Sequence, residues 1–263
     1  MSETTPIDQA HAAMELAPND ANARLRFYER LADSELFLML EAEPEGEKIS
    51  PALFETEEGR FVLVFDREER LAEFAGQVVP YVALSGRMVT QMLAGQGIGL
   101  GVNLDVAPSA ILIPETGVLW LQETLGHGPE EVEAGVEEFL SPTGLPEALL
   151  TALDMKLATA AGLASNAYLV ALRYAGGGQG HLLGFVGAQK QAESALAKAV
   201  SEALTFSGIE AGALDVSFFD AKDPAAARLA RAGLRFELPK AEDPKSFQPV
   251  APGSDPDKPP RLI

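Results

Sequence analysis

At 263 residues, 47% of them apolar, the chain is long enough for one large domain or two modest ones with buried cores. A formal charge of −19 repels the phosphate backbone and anionic membrane surfaces, so neither nucleic-acid nor membrane binding is expected. With no cysteine there are no disulfides, thiolate nucleophiles or cysteine-held metals, and His11, His127 and His181 lie too far apart in sequence for a local metal motif.

The opening MSETTPIDQAHAA has no basic region followed by an apolar run, so no signal peptide is expected. No apolar stretch approaches the roughly 20 residues needed to span a bilayer. A cytoplasmic protein is the expectation. Thr5 can cap a first helix, with Pro6 at its first position and Asp8 three residues after the cap. Ile7, Ala10, His11 and Met14 then share one face, where His11 is expected as a packed side chain. A second helix starts near Asp20 and spaces Leu25, Tyr28, Leu31 and Ala32 for burial. SELFLML (34–40) reads as a strand, and ALFET and RFVLVFD as a hairpin around EEG. The helix REERLAEFAG, the segment YVALSG and the helix RMVTQMLAG come next. After a glycine-rich stretch and SAILIP, the helix PETGVLWLQETLG carries the single tryptophan, Trp120.

The glycine-rich stretch, LAGQGIGLGVNLDV, invites comparison with a phosphate loop. A dinucleotide fingerprint runs strand, G-x-G-x-x-G, helix; here a helix precedes the glycines, and Leu100 stands where the third glycine should fall. The spacing fits a strand instead. Ile98, Leu100, Val102 and Leu104 would point one way, while Gly97, Gly99 and Gly101 leave the other face bare for close approach of a neighbour. A helix of the protein itself is the expected neighbour, a ligand or a partner's backbone the alternative. These three glycines are the sequence's only candidate contact site.

GPEEVEAGVEEFLSPTGLP reads as a junction. On a helical wheel Val132, Val136, Phe139 and Leu140 share one side, and Glu130, Glu131, Glu133, Glu137 and Glu138 form a solvated face on the other. Beyond it PEALLTALDMKLATAAGL is a helix, and NAYLVALRYA and HLLGFVGA are strands joined by GGGQG, a turn without a Walker ending. QKQAESALAKAVSEALTFSG is a long amphipathic helix, ALDVSFFD a strand, PAAARLARAG a helix with Pro224 near its start, and LRFEL a last strand. From Pro239 the proline-rich tail lacks an apolar pattern and is expected to be disordered.

Mixed helices and strands without strict alternation imply an α+β fold of two tandem domains, each a small mixed sheet packed with helices. Their expected limits are 1–126 and 145–238, with an acidic junction at 127–144 and the tail at 239–263. No G-x-S-x-G, H-E-x-x-H or G-K-[ST] motif occurs, and Ser85 and Ser165 have no histidine close in sequence. His127, between glycines, is the most exposed acid–base candidate, but a linker histidine is the plainer account. Asp215 and Asp220 fall on opposite strand faces, and with Asp223 they are poorly placed to share a metal. No catalytic residue, cofactor or metal is expected.

In order, these elements resemble the SseB (enhanced serine sensitivity) family. IDQAHAAMELAPNDANARLRFYERLADSELFLML is similar to the opening of its N-terminal domain, and VLVFDREERLAEFAG to its strand-then-helix segment. YVALSGRMVTQML and GIGLGVNLDVAPSAILIPE are similar to that domain's next helix and glycine-rich strand, and GLPEALL through LRFELP to the SseB C-terminal domain. The resemblance covers about residues 6 to 238. It implies a bacterial protein of a family named for a serine-sensitivity phenotype, without an established enzymatic activity and with no catalytic residues to carry over. The expected function is a non-catalytic binding or regulatory protein with a link to serine or sulfur amino-acid metabolism, acting on a protein partner. An enzyme with an interdomain site and a module that adds an edge strand to a partner are the alternatives.

Overall fold

The computed structural model describes residues 4–240, apart from 45, 47, 58, 128–135, 175–177 and 210–213. It is an α+β fold built on two mixed sheets.

The first half runs α1 (Pro6–Leu16), α2 (Ala21–Asp33), β1 (Glu35–Met39), β2 (Leu53–Thr56), β3 (Gly59–Phe65), α3 (Glu68–Ala75) and β4 (Tyr81–Ser85). Then come α4 (Gly86–Leu93), β5 (Ile98–Val102), β6 (Ile111–Ile113) and α5 (Glu115–Gly126). α1 opens as expected: the Asp8 amide donates to the Thr5 hydroxyl and the Thr5 amide to the Asp8 carboxylate, a complete capping box. The strand order is β4-β1-β3-β5-β6, with β2 beside the first part of β3. All neighbours are antiparallel except β3 and β5.

The run Phe61–Phe65 is buried throughout because both sheet faces are covered. Val62 and Val64 face α1, α2, α4 and α5 in one core with Phe27, Leu31, Leu38, Leu100 and Val118. Leu63 and Phe65 face α3 through Leu71. On α2 the buried face is rotated from the expected one: Phe27 is fully buried while Leu25 and Tyr28 are half-buried, and Glu29 is buried with Leu31 and Ala32.

The second half runs β7 (Val136–Leu140), α6 (Glu147–Leu157), β8 (Asn166–Tyr174), β9 (Gln179–Val186), a 3-10 turn (Lys190–Ala192), α7 (Glu193–Phe206), β10 (Asp215–Phe219), α8 (Pro224–Ala232) and β11 (Leu234–Phe236). Its order is β10-β9-β8-β11, and β7 pairs the far end of β8. β8 and β9 form the expected hairpin, whose turn residues lie outside the described ones. α7 carries the chain across to β10, the one strand parallel to its neighbour. α6 and α7 cover Leu169, Leu183 and Phe185; α8 covers Val170, Leu172 and Val186 on the other face.

The helix expected at the junction is corrected over Val136–Leu140, which is strand β7. Antiparallel pairing with β8 satisfies its backbone, and Phe139 packs against Phe219 beneath the Arg228 guanidinium. Glu138 pairs with Arg173 at 2.9 Å. Tertiary pairing outweighs helix propensity here. Val132, Glu130, Glu131 and Glu133 lie outside the described residues, as does the tail from residue 241.

Candidate functional site

Gly99 and Gly101 lie in β5, and Gly97 precedes it at φ +70°. A Cβ on Gly99 would stand 2.5 Å from Phe61 Cε1 and 2.6 Å from the Ile113 carbonyl oxygen. One on Gly101 would stand 2.6 Å from Leu63 Cδ2 and 3.0 Å from Leu104 Cδ1. What comes close is therefore the two adjacent strands, β3 through its side chains and β6 through the Ile113 carbonyl, and the following turn, not a helix. Leu104 is corrected with them. The strand ends at Val102, and Asn103 and Asp105 take positive φ (49° and 60°). That turn swings Leu104 onto the glycine face, with Leu63 and Phe65, rather than beside Leu100.

The carboxyl ends of the parallel pair β3–β5 are where open sheets tend to hold ligands. Here that position is filled by the protein. Arg70 donates to both oxygens of Asp8 (3.0 and 2.5 Å) and to Asp66 (2.8 Å). Ser109 donates to Asp8 at 2.6 Å and accepts from Asn103 at 2.9 Å. The Asn103 side-chain carbonyl accepts the Asp66 amide at 3.0 Å. Burial alone would raise the Asp8 pKa, but hydrogen bonds from Arg70, Ser109 and Thr5 hold it well below the usual carboxylate range. The network ties the N-terminus of α1 to the sheet.

A second charged cluster joins the two halves. Lys156 on α6 reaches Glu29 (3.5 Å) and Asp33 (2.5 Å) on α2, and Glu202 (3.3 Å) on α7. Arg87 on α4 grips Glu202 with two bonds of 2.6 Å and Asp33 with one of 2.5 Å. Three carboxylates thus face two cations. Burial pushes the Glu29 carboxyl up despite Lys156, and its Oε1 accepts no hydrogen bond. For Asp33, burial is outweighed by the Lys156 charge and the bonds from Lys156 and Arg87, so its pKa falls. Apart from that Glu29 oxygen, these groups are taken up by one another. This ionic contact links α2 and α4 of the first half to α6 and α7 of the second.

The histidines serve other ends. His11 is buried edge-on to Phe27, ring centroids 5.6 Å apart, as expected of a packed side chain. His127 is exposed at the end of α5, and His181 Nε2 lies 3.1 Å from the Thr143 carbonyl. Asp215 accepts from the Tyr174 hydroxyl and Asp223 caps α8. Among the described residues no three His, Asp or Glu side chains are grouped to hold a metal. No described helix is long and apolar enough to cross a membrane.

An open site lies on the outer side of the first half, where α2 meets the start of α5. It is a groove of about 480 Å³, a size common for small-ligand and peptide pockets. Arg24, Leu25 and Tyr28 form one wall; Thr116, Gly117 and Trp120 form the other. Tyr28 and Trp120 meet edge to face at 5.2 Å, and Trp120 remains 39% exposed although it is the chain's only tryptophan. A Cβ at Gly117 would stand 2.8 Å from Ile113 Cγ2 and in ordinary contact, 3.5 Å, with the Tyr28 hydroxyl. Burial raises the Tyr28 pKa although the Arg24 charge opposes it, so the hydroxyl stays protonated and can donate. The groove offers two aromatic rings, one cation and neutral donors. The sequence held one signal for it: a lone tryptophan on a helix whose buried positions are Val118, Leu121 and Leu125.

These features define a two-sheet α+β protein with an aromatic surface groove and a charged seam between its halves. Residues 10–120 match the family described as SseB protein N-terminal domain, which supports an SseB-type domain over that span. The match ends within α5, and the groove's Trp120 is its last residue. No curated protein and no solved structure matches the chain.

Proposed function

We propose that the chain is a non-catalytic binding protein of the SseB type, whose recognition surface is the groove between α2 and α5. One observation carries this: the sole tryptophan is left partly exposed against Tyr28, beside an exposed arginine, in the wall of a groove. Tryptophan, tyrosine and arginine are the residues that dominate recognition surfaces, because they combine apolar area with a directed polar group. Such a groove suits a ligand or segment that presents an apolar or proline face with a carboxylate beside it. A regulatory role in the cytoplasm, linked to serine or sulfur amino-acid metabolism, is what the family resemblance adds to this proposal.

Trp120 also supplies the test. Its emission is followed while the protein is titrated with L-serine, L-methionine and short proline-rich acidic peptides. A saturable shift is expected for at least one of them. Arg24→Glu should weaken that binding roughly 10-fold or more, as expected when a hydrogen bond between charged groups is replaced by repulsion. A panel that leaves the emission unchanged, or binding indifferent to Arg24→Glu, would overturn the assignment.

A further inference from the structure

We propose that the contact between the two halves is a proton-operated clamp: Glu29 takes a proton from solvent as α6 and α7 close on α2, and gives it up as the seam loosens at rising pH. This goes beyond the binding role proposed above and does not depend on it.

Glu29, Asp33 and Glu202 bring three carboxylates to the seam, against the two cations Lys156 and Arg87. The hydrogen bonds are shared unequally. Glu202 accepts two from Arg87 and one from Lys156, and Asp33 accepts one from each. Glu29 is left with the Lys156 ammonium at 3.5 Å, too long for a good hydrogen bond, and its Oε1 has no donor among the described residues. Its side chain is 2% exposed. A carboxylate so placed has neither water nor a donor to hold its charge, and a proton removes that charge. A metal ion fits poorly, because the ammonium already stands beside that oxygen and would repel it.

The neighbours of Glu29 decide the sign. α6 faces it with Lys156, α7 brings Glu202 and α4 brings Arg87, while α2 itself adds Asp33 and Arg30. The Arg30 guanidinium donates to the Met155 sulfur at 2.7 Å. α1 meets α2 through His11 on Phe27, and α5 through Trp120 on Tyr28. Burial raises the Glu29 carboxyl above its ordinary value, and Lys156 offsets only part of this. An opened seam returns the group to water and to that ordinary value. The closed seam therefore holds the proton more tightly, so closure is favoured at low pH and weakens as pH climbs through the closed-state value. Asp33, where burial is outweighed by Lys156 and Arg87, is lowered, and so opposes closure only at more acid pH. The clamp is tightest in mildly acidic solution.

Hydrogen exchange of the full-length protein, read by peptide from pH 5 to pH 8, tests this. Peptides from α2 and α7 report the seam, and peptides from β3 and β9 the interiors of the two sheets. Rates are corrected for the intrinsic pH dependence of amide exchange. One linked proton changes an opening constant by at most about ten-fold per pH unit. Opening at α2 and α7 should rise about five-fold or more over this range, with β3 and β9 unchanged. Glu29→Gln keeps the shape of the protonated acid, and should hold the seam at its low-pH protection throughout. A parent whose seam exchange is flat with pH overturns the proposal. So does an equal change at β3 and β9, which would place the proton's effect on the whole fold. A Glu29→Gln seam that keeps the parent's pH dependence, or opens more readily than the parent at every pH, overturns it as well. Should that variant fail to fold, the comparison of seam and sheet peptides within the parent still decides.

Discussion

Lys156→Met removes a charge and keeps a side chain of similar length. It takes an ammonium from among Glu29 (3.5 Å), Asp33 (2.5 Å) and Glu202 (3.3 Å). Arg87 still holds Glu202 and Asp33, and the Asp33 side chain, 27% exposed, keeps some water. Glu29 has neither; its side chain is 2% exposed, and among the described residues Lys156 is its one ion-pair partner. Breaking a buried pair by removing one member costs about 3–5 kcal/mol, and the lower end applies because Arg87 remains, so about 3 kcal/mol is expected near pH 7.5. That is a large share of a typical 5–15 kcal/mol.

The loss should depend on pH in a definite sense. Burial already raises the Glu29 pKa, and a carboxyl raised in the folded state contributes stability at low pH that is lost as pH climbs through its folded value. Without Lys156 that value rises further, so the penalty should shrink on going from pH 7.5 to pH 5.5 by about 1.4 kcal/mol per unit of titration covered. Urea unfolding at both pH values measures it, with an unchanged m-value confirming the same transition. Adding Glu29→Gln to Lys156→Met should recover more than about 1 kcal/mol at pH 7.5. A loss below about 0.5 kcal/mol, within the range of ordinary surface substitutions, would refute a buried cluster that holds the halves together, as would a loss identical at both pH values.

Asp8→Asn tests the network at the start of α1. Asp8 is held below its ordinary pKa, so its contribution is present above about pH 4 and lost as pH falls through the folded value. The variant should be less stable by about 3 kcal/mol at pH 7, and flatter than the parent between pH 5 and pH 3 by acid titration of circular dichroism. Gly99→Val should destabilise by about 2–3 kcal/mol or more in thermal or urea unfolding, because the Ile113 carbonyl 2.6 Å from the new Cβ is backbone and cannot rotate away. A variant as stable as the parent would mean that the strand face has room.

Most of the elements can be read from the chain because they are locally specified. The Thr5–Asp8 capping box, the hairpin around EEG and the Pro224 helix start each depend on a few adjacent residues. The helix expected at Val136–Leu140 fails because its apolar spacing suits either structure, and the partner that decides it, β8, lies some thirty residues away. Leu104 departs from the strand alternation because two positive-φ residues end the strand one step after Val102. The site is less legible still. Tyr28 and Trp120 are 92 residues apart, and Glu29 and Lys156 belong to different halves, so only folding brings either pair together. In the sequence Asp8 reads as a cap and nothing more; its second role needs Arg70 and Ser109, neither of which carries a local mark.

Phe206, the last residue of α7, belongs by sequence to the second half but is buried in the cluster of Ile7, Phe27 and Leu31 in the first. An aromatic ring lent across the seam makes each half a poor stand-in for the whole. A fragment cut to the matched span would carry a phenyl-sized hole where that ring belongs, and would lose the lysine that neutralises Glu29 as well. Truncations meant to isolate one half should therefore carry α6 and α7 along, or expect a looser, stickier product.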